Sequence, residues 1–264
     1  MNKIEVLNFG SLNIDHVYQV PHFVAPKETL SCMDYAQFAG GKGLNQSVAL
    51  ARAGVRTAHA GKIGADGAFL EETLKLAGVD TRFLIHGTLP TGHAIIQVDR
   101  EGQNCILLYP GANRAVAREE IDSVLDRLEP GTWILLQNEI NEIPYLMREA
   151  KAHGFRIAIN PAPCGPEVSE YPLELADVLF VNEIEAAQLS GVNGMPDEIL
   201  DVLVKRFPEC EIVMTLGGDG AAYAKGAKRF RVASPEVVVV DTTSAGDTFS
   251  GYYIAAKLRG CSPE

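Results

Sequence analysis

The sequence predicts an α/β protein built on a largely parallel sheet, with a small second sheet inserted into it. Three observations carry this reading. Short aliphatic runs alternate with helical patterns at βαβ spacing, glycines stand at the helix-to-strand turns, and two β-rich stretches interrupt the rhythm. Residues 4–9, 133–136, 156–159, 178–181 and 212–215 read as buried strands, and 45–53, 69–77, 118–128, 144–153 and 183–190 carry helical spacing between them. Gly54, Gly78 and Gly154 sit where left-handed caps would close three of these helices. Residues 16–38 and 92–109 lack helical period and are rich in β-formers, with a hairpin turn expected at 99–103. They read as a separate small sheet, or alternatively as edge hairpins of the main one.

With 264 residues, 47% of them hydrophobic and 22% charged, the chain can bury a substantial core and is not compositionally disordered. Its formal charge of −11 argues against sequence-independent nucleic-acid binding, which needs clustered cations, but not against phosphate chemistry run on backbone N–H groups. The five cysteines are scattered, odd in number and form no C-x-x-C pair, which fits a reducing compartment and argues against both a disulfide framework and a zinc cluster. No apolar run approaches membrane-spanning length, and residues 4–9 are too short and polar for a signal core. A cytoplasmic protein, with neither membrane nor nucleic acid as a partner, is the expectation.

Three segments carry candidate chemistry. The run Asp241-Thr242-Thr243-Ser244-Ala245-Gly246-Asp247 follows a strand-like stretch at 237–240 and opens a helix. Small residues at 244–246 let backbone N–H groups converge at the positive end of that helix, a geometry suited to a phosphoryl group or developing oxyanion. Asp247 beside such a nest can accept a hydroxyl proton; it can equally be a helix cap. Gly40-Gly41-Lys42-Gly43-Leu44-Asn45-Gln46 leads into a helix through glycines that allow close backbone approach. It is not a Walker A loop, since no Ser or Thr follows the lysine. Asn13 and Asp15 alternate after the first strand, where open α/β sheets bind ligands; both could face a polyol, or belong to an Asx turn.

In combination these segments resemble the ribokinase, or PfkB carbohydrate kinase, family. Gly-Ser-x-Asn-x-Asp at 10–15, Gly-Gly-Lys-Gly-x-Asn-Gln at 40–46, Asn-x-x-Glu at 182–185 and Ala-Gly-Asp-Thr-Phe at 245–249 occur in family order. Asn160-Pro161-Ala162-Pro163, Gly111-Ala112-Asn113 and Thr215-Leu216-Gly217 are further family-like phrases, so the resemblance spans essentially the whole chain. It implies a doubly wound, mostly parallel α/β sheet flanked by helices, as one domain over residues 1–264, with a β lid from about 12–39 and 92–110.

The activity implied is ATP-dependent transfer of the γ-phosphoryl group to a primary sugar hydroxyl, with D-ribose favoured. By the same resemblance, Asp247 is the base, with Gly246 and Ala245 forming the anion hole. Asn13, Asp15, Gly41, Lys42, Asn45 and Glu139 would bind the sugar. Asn182, Thr215, Gly217, Gly218, Gly220 and Gly246 would bind the nucleotide. Glu185 would act on Mg2+ through water, and Asp241 and Thr243 on a monovalent cation, usually K+. Homodimerisation through the lid is a further implication. Without the resemblance, Glu139 reads first as a helix-start or surface carboxylate, and Asn182 with Glu185 as an ordinary helix start.

Two departures qualify the match. Tyr252 follows Gly251 where the family often has a small residue. Residues 261–264 look like the entrance to another helix, whereas family members run on for a few dozen residues that complete the adenine pocket and cation loop; a missing C-terminal end is therefore expected. A kinase of another sugar or a nucleoside, or a catalytically impaired sugar-binding protein, are the rival readings.

Overall fold

The computed structural model describes residues 3–239 and 241–263. In chain order the strands are β1 (Val6–Phe9), β2 (Asn13–Gln19), β3 (Asp34–Gly40), β4 (Thr57–Ile63), β5 (Asp80–His86), β6 (Gly92–Val98), β7 (Asn104–Tyr109), β8 (Trp133–Gln137), β9 (Arg156–Asn160), β10 (Val178–Asn182), β11 (Glu211–Thr215), β12 (Ala221–Lys225) and β13 (Lys228–Val232). The helices are α1 (Lys42–Arg52), α2 (Ala68–Leu76), α3 (Arg118–Leu125), α4 (Ile143–Ala152), α5 (Glu183–Ser190), α6 (Pro196–Arg206) and α7 (Ala245–Leu258).

The main sheet has nine strands in the order β13-β12-β11-β10-β9-β8-β1-β4-β5. From β11 across to β5 all neighbours are parallel, while β12 and β13 close one edge antiparallel. Both faces of β1, β8, β9, β10 and β11 are largely buried, which explains why they read as near-unbroken aliphatic runs rather than alternating ones. Leu7, Phe9, Ile134 and Leu136 pack toward α3 and α4, whereas Val6, Trp133 and Leu135 pack toward Leu50 of α1 and Ile254 of α7. The sheet is thus doubly wound, with helices on both faces.

The four-stranded second sheet runs β3-β2-β6-β7, with β2 and β6 parallel and the outer pairs antiparallel. The two irregular stretches therefore form a sheet of their own and not edge hairpins of the main one. The turn at 99–103 closes with the Asp99 N–H donating to the Gln103 carbonyl at 3.0 Å. Gly54, Gly78 and Gly154 take the left-handed conformation foreseen for helix caps, with φ of 82°, 85° and 76°.

Four expectations need correction. The strand-like stretch at 237–240 is not a strand: residues 233–239 are irregular, and Val240 lies outside the described residues. Val237, Val238 and Val239 are exposed, and with no facing strand among the described residues their β propensity has nothing to pair with. The helix expected over 118–128 ends at Leu125, and the one expected from Asn45 begins at Lys42. Tyr252 is 49% exposed, so its size crowds nothing in the interior.

Candidate active site

β1 is the switch point of the sheet: the chain winds to β4 and β5 on one side, and β8 and its successors lie on the other. The crevice at such a point, beyond the carboxyl ends of the strands, is where open α/β sheets hold ligands. Here the segment after β1 carries Ser11 and leads into β2, and the segment after β8 carries Glu139. Glu139 Oε2 accepts a short hydrogen bond from the Ser11 hydroxyl and one from the Lys42 N–H at 2.9 Å, so it ties both segments to the start of α1. It is a half-buried acceptor between elements, not a helix-start carboxylate.

Asn13 and Asp15 lie on one face of β2, not in an Asx turn. Asn13 is buried, and its Oδ1 accepts from Asn113 Nδ2 at 2.8 Å. The Asn113 side chain also bridges the N–H and carbonyl of Leu12 at 3.0 and 3.1 Å, fixing the base of the small sheet. Burial, reinforced by the nearby Glu139 carboxylate, pushes the Asp15 pKa up to about 6. Gly41 precedes α1 with φ of 93°, and a Cβ there would press on the Asn13 N–H at 3.0 Å and the Ser11 carbonyl at 3.1 Å. Only glycine lets the two segments approach this closely.

α1 and α7 pack side by side and bring Lys42, Asn45 and Gln46 against Asp247. The Asp247 carboxylate is 5% exposed; its Oδ1 accepts from Gln46 Nε2 at 2.9 Å and lies 3.9 Å from Lys42 Nζ, and its Oδ2 lies 3.5 Å from Asn45 Nδ2. Asn45 Nδ2 also donates to Ser244 Oγ at 2.7 Å. Ser244 is the residue preceding α7 and takes a left-handed φ of 59°. Asp247 is therefore not the helix cap: its side chain faces α1. The Ala245 N–H donates to the Thr242 carbonyl at 3.1 Å, whereas the Gly246 and Asp247 N–H groups at the start of α7 have no partner among the described residues.

Asp247, Gly246, Ala245 and Lys42 line a cavity of about 280 Å3, whose far wall is made by Asn160, Asn182, Glu185 and Thr215. Asn182 and Glu185 form a reciprocal capping box at the start of α5, with Asn182 Oδ1 accepting from the Glu185 N–H at 2.8 Å and Glu185 Oε2 from the Asn182 N–H at 3.0 Å. The ordinary helix-start reading is thus met, yet both residues also face the cavity. Gly217, Gly218 and Gly220 lie on the tight turn between β11 and β12 and do not line it. Asp241 and Thr243 are exposed beyond the rim; the Thr243 N–H donates to Asp241 Oδ1 at 2.8 Å and holds that carboxyl below its usual range. Among the described residues no group of three or more His, Cys, Asp or Glu is placed to hold a metal ion.

The chain matches the pfkB family of carbohydrate kinases over residues 3–264. It belongs to that family. A PfkB kinase transfers a phosphoryl group to an alcohol, and the chain is an enzyme of that class. It is 35% identical to the ribokinase of Staphylococcus aureus strain COL, over 96% of this chain and 86% of the relative. The solved structure of Thermotoga maritima ribokinase superimposes with a TM-score of 0.88 at 31% identity, covering 98% of this chain and 88% of that one. Arabidopsis thaliana ribokinase, solved with ribose and ATP, superimposes with a TM-score of 0.85 at 27% identity, over 99% and 88% of the respective chains. The residues that motif reading did not single out, Ser11, Asn113, Gln46 and Ser244, all lay inside quoted phrases; their roles needed the contact between distant segments.

Proposed function

We propose that this chain is an ATP-dependent ribokinase that converts D-ribose to ribose 5-phosphate. The observation that carries the reading is the buried Asp247 carboxylate, set between a polar cradle on one side and the free N–H groups of α7 on the other. Asn13, Asp15, Gly41, Lys42, Asn45 and Glu139 converge on the cradle and would hold the sugar hydroxyls. Asp247 takes the proton from the primary hydroxyl as its oxygen attacks the γ-phosphorus in line and the β,γ-bridging oxygen leaves with ADP. The Gly246 and Asp247 N–H groups, at the positive end of α7, offset charge on the transferring group. Ribose is favoured by the named relatives and by the Gly-Gly-Lys-Gly-x-Asn-Gln phrase.

Thr215 and the Gly217–Gly220 turn beside it would seat the nucleotide, with Asn182 at the phosphates. The oxygen donors of the far wall, Glu185 foremost, fit a hard cation that keeps most of its waters. Mg2+ bound with ATP would there neutralise phosphate charge. Asp241, held ionised by the Thr243 N–H, supports a monovalent-cation site, with K+ as activator.

The second sheet would act as a lid, since Asp15 shares its face with Ala94 and Leu108. That face also exposes Phe38, Ile106 and Leu108, and the other exposes Tyr35, Leu107 and Tyr109, a density of apolar surface that favours a homodimer through the lid. Among the described residues no helix is long and apolar enough to cross a membrane. Five free cysteines fit a cytoplasmic setting.

A coupled ADP-release assay over ribose, 2-deoxyribose, hexoses and nucleosides, with and without K+, tests the reading. D-ribose should give the highest kcat/KM, and no sugar-dependent ADP release would overturn it.

A further inference from the structure

Behind Asp247 runs a line of side chains for which the reaction scheme gives no role. Gln46 donates from Nε2 to Asp247 Oδ1 and accepts at Oε1 from Gln137 Nε2 at 2.7 Å. Gln137 Nε2 also donates to Asn8 Oδ1 at 2.9 Å. Asn8 Nδ2 donates to the Gly43 carbonyl at 2.7 Å and to Ser47 Oγ at 2.9 Å, and Ser47 Oγ meets His59 Nδ1 at 2.7 Å. Gln46, Gln137, Asn8, Ser47 and His59 are fully buried and come from α1, β8, β1 and β4.

The direction of each bond follows from one fixed end. A backbone carbonyl only accepts, so Asn8 must turn its NH2 group to Gly43 and its Oδ1 to Gln137. Gln137 must then present its NH2 group to Asn8. The same NH2 group reaches Gln46 Oε1, which leaves the Gln46 NH2 group facing Asp247. Ser47 Oγ accepts from Asn8 and lies 2.7 Å from His59 Nδ1, while His59 Nε2 has no hydrogen-bond partner among the described residues. Burial holds its pKa down at about 3, so no group in the line titrates near neutrality. Gln137 Oε1 is left without a hydrogen-bond partner among the described residues. Turning that amide over would set oxygen against oxygen at both Asn8 and Gln46, so the unpaired acceptor is what the fixed polarity requires.

We propose that Gln46 is a positioning residue for Asp247: the line anchored on the Gly43 carbonyl fixes a donor on Oδ1 and leaves Oδ2 as the oxygen that takes the substrate proton. This rests on the reading of Asp247 as the base. Oδ1 has Gln46 at 2.9 Å and Lys42 Nζ at 3.9 Å, whereas among the described residues Oδ2 accepts only a long bond of 3.5 Å from Asn45 Nδ2, whose shorter bond of 2.7 Å goes to Ser244. The other charged groups facing the carboxylate are Lys42 from α1 and, across the cavity, Glu185 from α5. A donor on the ionised form favours ionisation, so removing it raises the proton affinity of the base.

Two variants test this. Gln46→Met keeps the side-chain length and deletes the donor, and Gln137→Asn shortens the next amide by one methylene and frees Gln46 to turn. In Gln46→Met, kcat should fall about 10- to 100-fold with the KM for ATP and ribose nearly unchanged, and the acid limb of the kcat–pH profile should move up by about one unit. Gln137→Asn should shift the same limb in the same direction, by less. The 13C titration of the Asp247 carboxyl, assigned by its loss in Asp247→Asn, should move with the limb in both. A uniform fall in kcat at all pH with an unmoved limb and titration would overturn the proposal and mark Gln46 as packing only. If the parent chain phosphorylates no sugar, the base reading fails, while the 13C titration still decides whether Gln46 sets the proton affinity of Asp247.

Discussion

Gly251→Ala should damage catalysis from outside the site, through the packing of α7 on α1. A Cβ at position 251 would lie 2.6 Å from Ala49 Cβ and 3.0 Å from the Leu50 N–H. Carbon pairs settle at about 3.5–4.0 Å, so α7 must retreat from α1 by about 1 Å. Asp247 sits one helical turn before Gly251 on the same face, and Gln46 one turn before Ala49 on α1, so the retreat acts directly on the 2.9 Å bond between them. Overpacking of this kind costs about 1–3 kcal/mol of stability. A displacement of about 1 Å at a base lowers kcat on the order of 10²-fold. The measurements are urea unfolding and the coupled assay, applied also to Gly251→Ala combined with Ala49→Gly. That second change removes the clashing carbon at a cost of about 1 kcal/mol in helix propensity. It should restore most of kcat and less of the stability. A Gly251→Ala protein with kcat within twofold of the parent, or a loss that Ala49→Gly does not relieve, would refute the transmission argued here.

Other expectations follow from single groups. The raised carboxyl pKa of Asp15 means that the KM for sugar should climb as pH falls through about 6, approaching about tenfold per unit well below it, and that Asp15→Asn should flatten this dependence. The stability sign is opposite: a proton favours the folded form, so stability relative to Asp15→Asn should decline as pH rises from about 4 to 6, read by urea titration at each pH. Asn113→Ala strands the buried N–H and carbonyl of Leu12; it should lose about 1–3 kcal/mol or more and raise the KM for sugar. Ile106→Lys with Leu108→Lys should yield a monomer by light scattering if the lid is the dimer contact, and an unchanged mass would remove that contact from the account.

What could be read in the sequence was what is local. β1, β8, β9, β10 and β11 announce themselves because burial on both faces leaves them mostly aliphatic, and the glycine caps because few other residues tolerate their φ. β4 could not be read this way. Its run Thr57-Ala58-His59-Ala60-Gly61-Lys62-Ile63 is polar and small, yet almost wholly buried, because Gly61 must admit the backbone at Gly10 and His59 ends the polar line behind Asp247. β12 and β13 form an edge hairpin whose exposed Lys228, Arg229 and Arg231 hide its strand character. The site divides likewise. Asp247, Lys42 and Asn45 were legible as motif residues, but only the packing of α7 on α1 showed that the Asp247 side chain faces α1 and does not cap its helix. Ala245 was legible as part of an anion hole, and only the bond to Thr242 showed that its N–H is engaged. Gln46 lay in a recognised phrase without a role, since its meaning depends on Gln137 and Asn8, 91 and 38 positions away.

The most direct test of the account is kcat for ribose phosphorylation by Asp247→Asn. Asparagine keeps an Oδ1 for Gln46 to bond, so the fold and the KM for ATP should persist while proton acceptance is lost. The expected result is a kcat lower by about 10²–10⁴-fold at unchanged thermal stability. A folded Asp247→Asn protein that turns over at near the parental rate would contradict the assignment of Asp247 as the base.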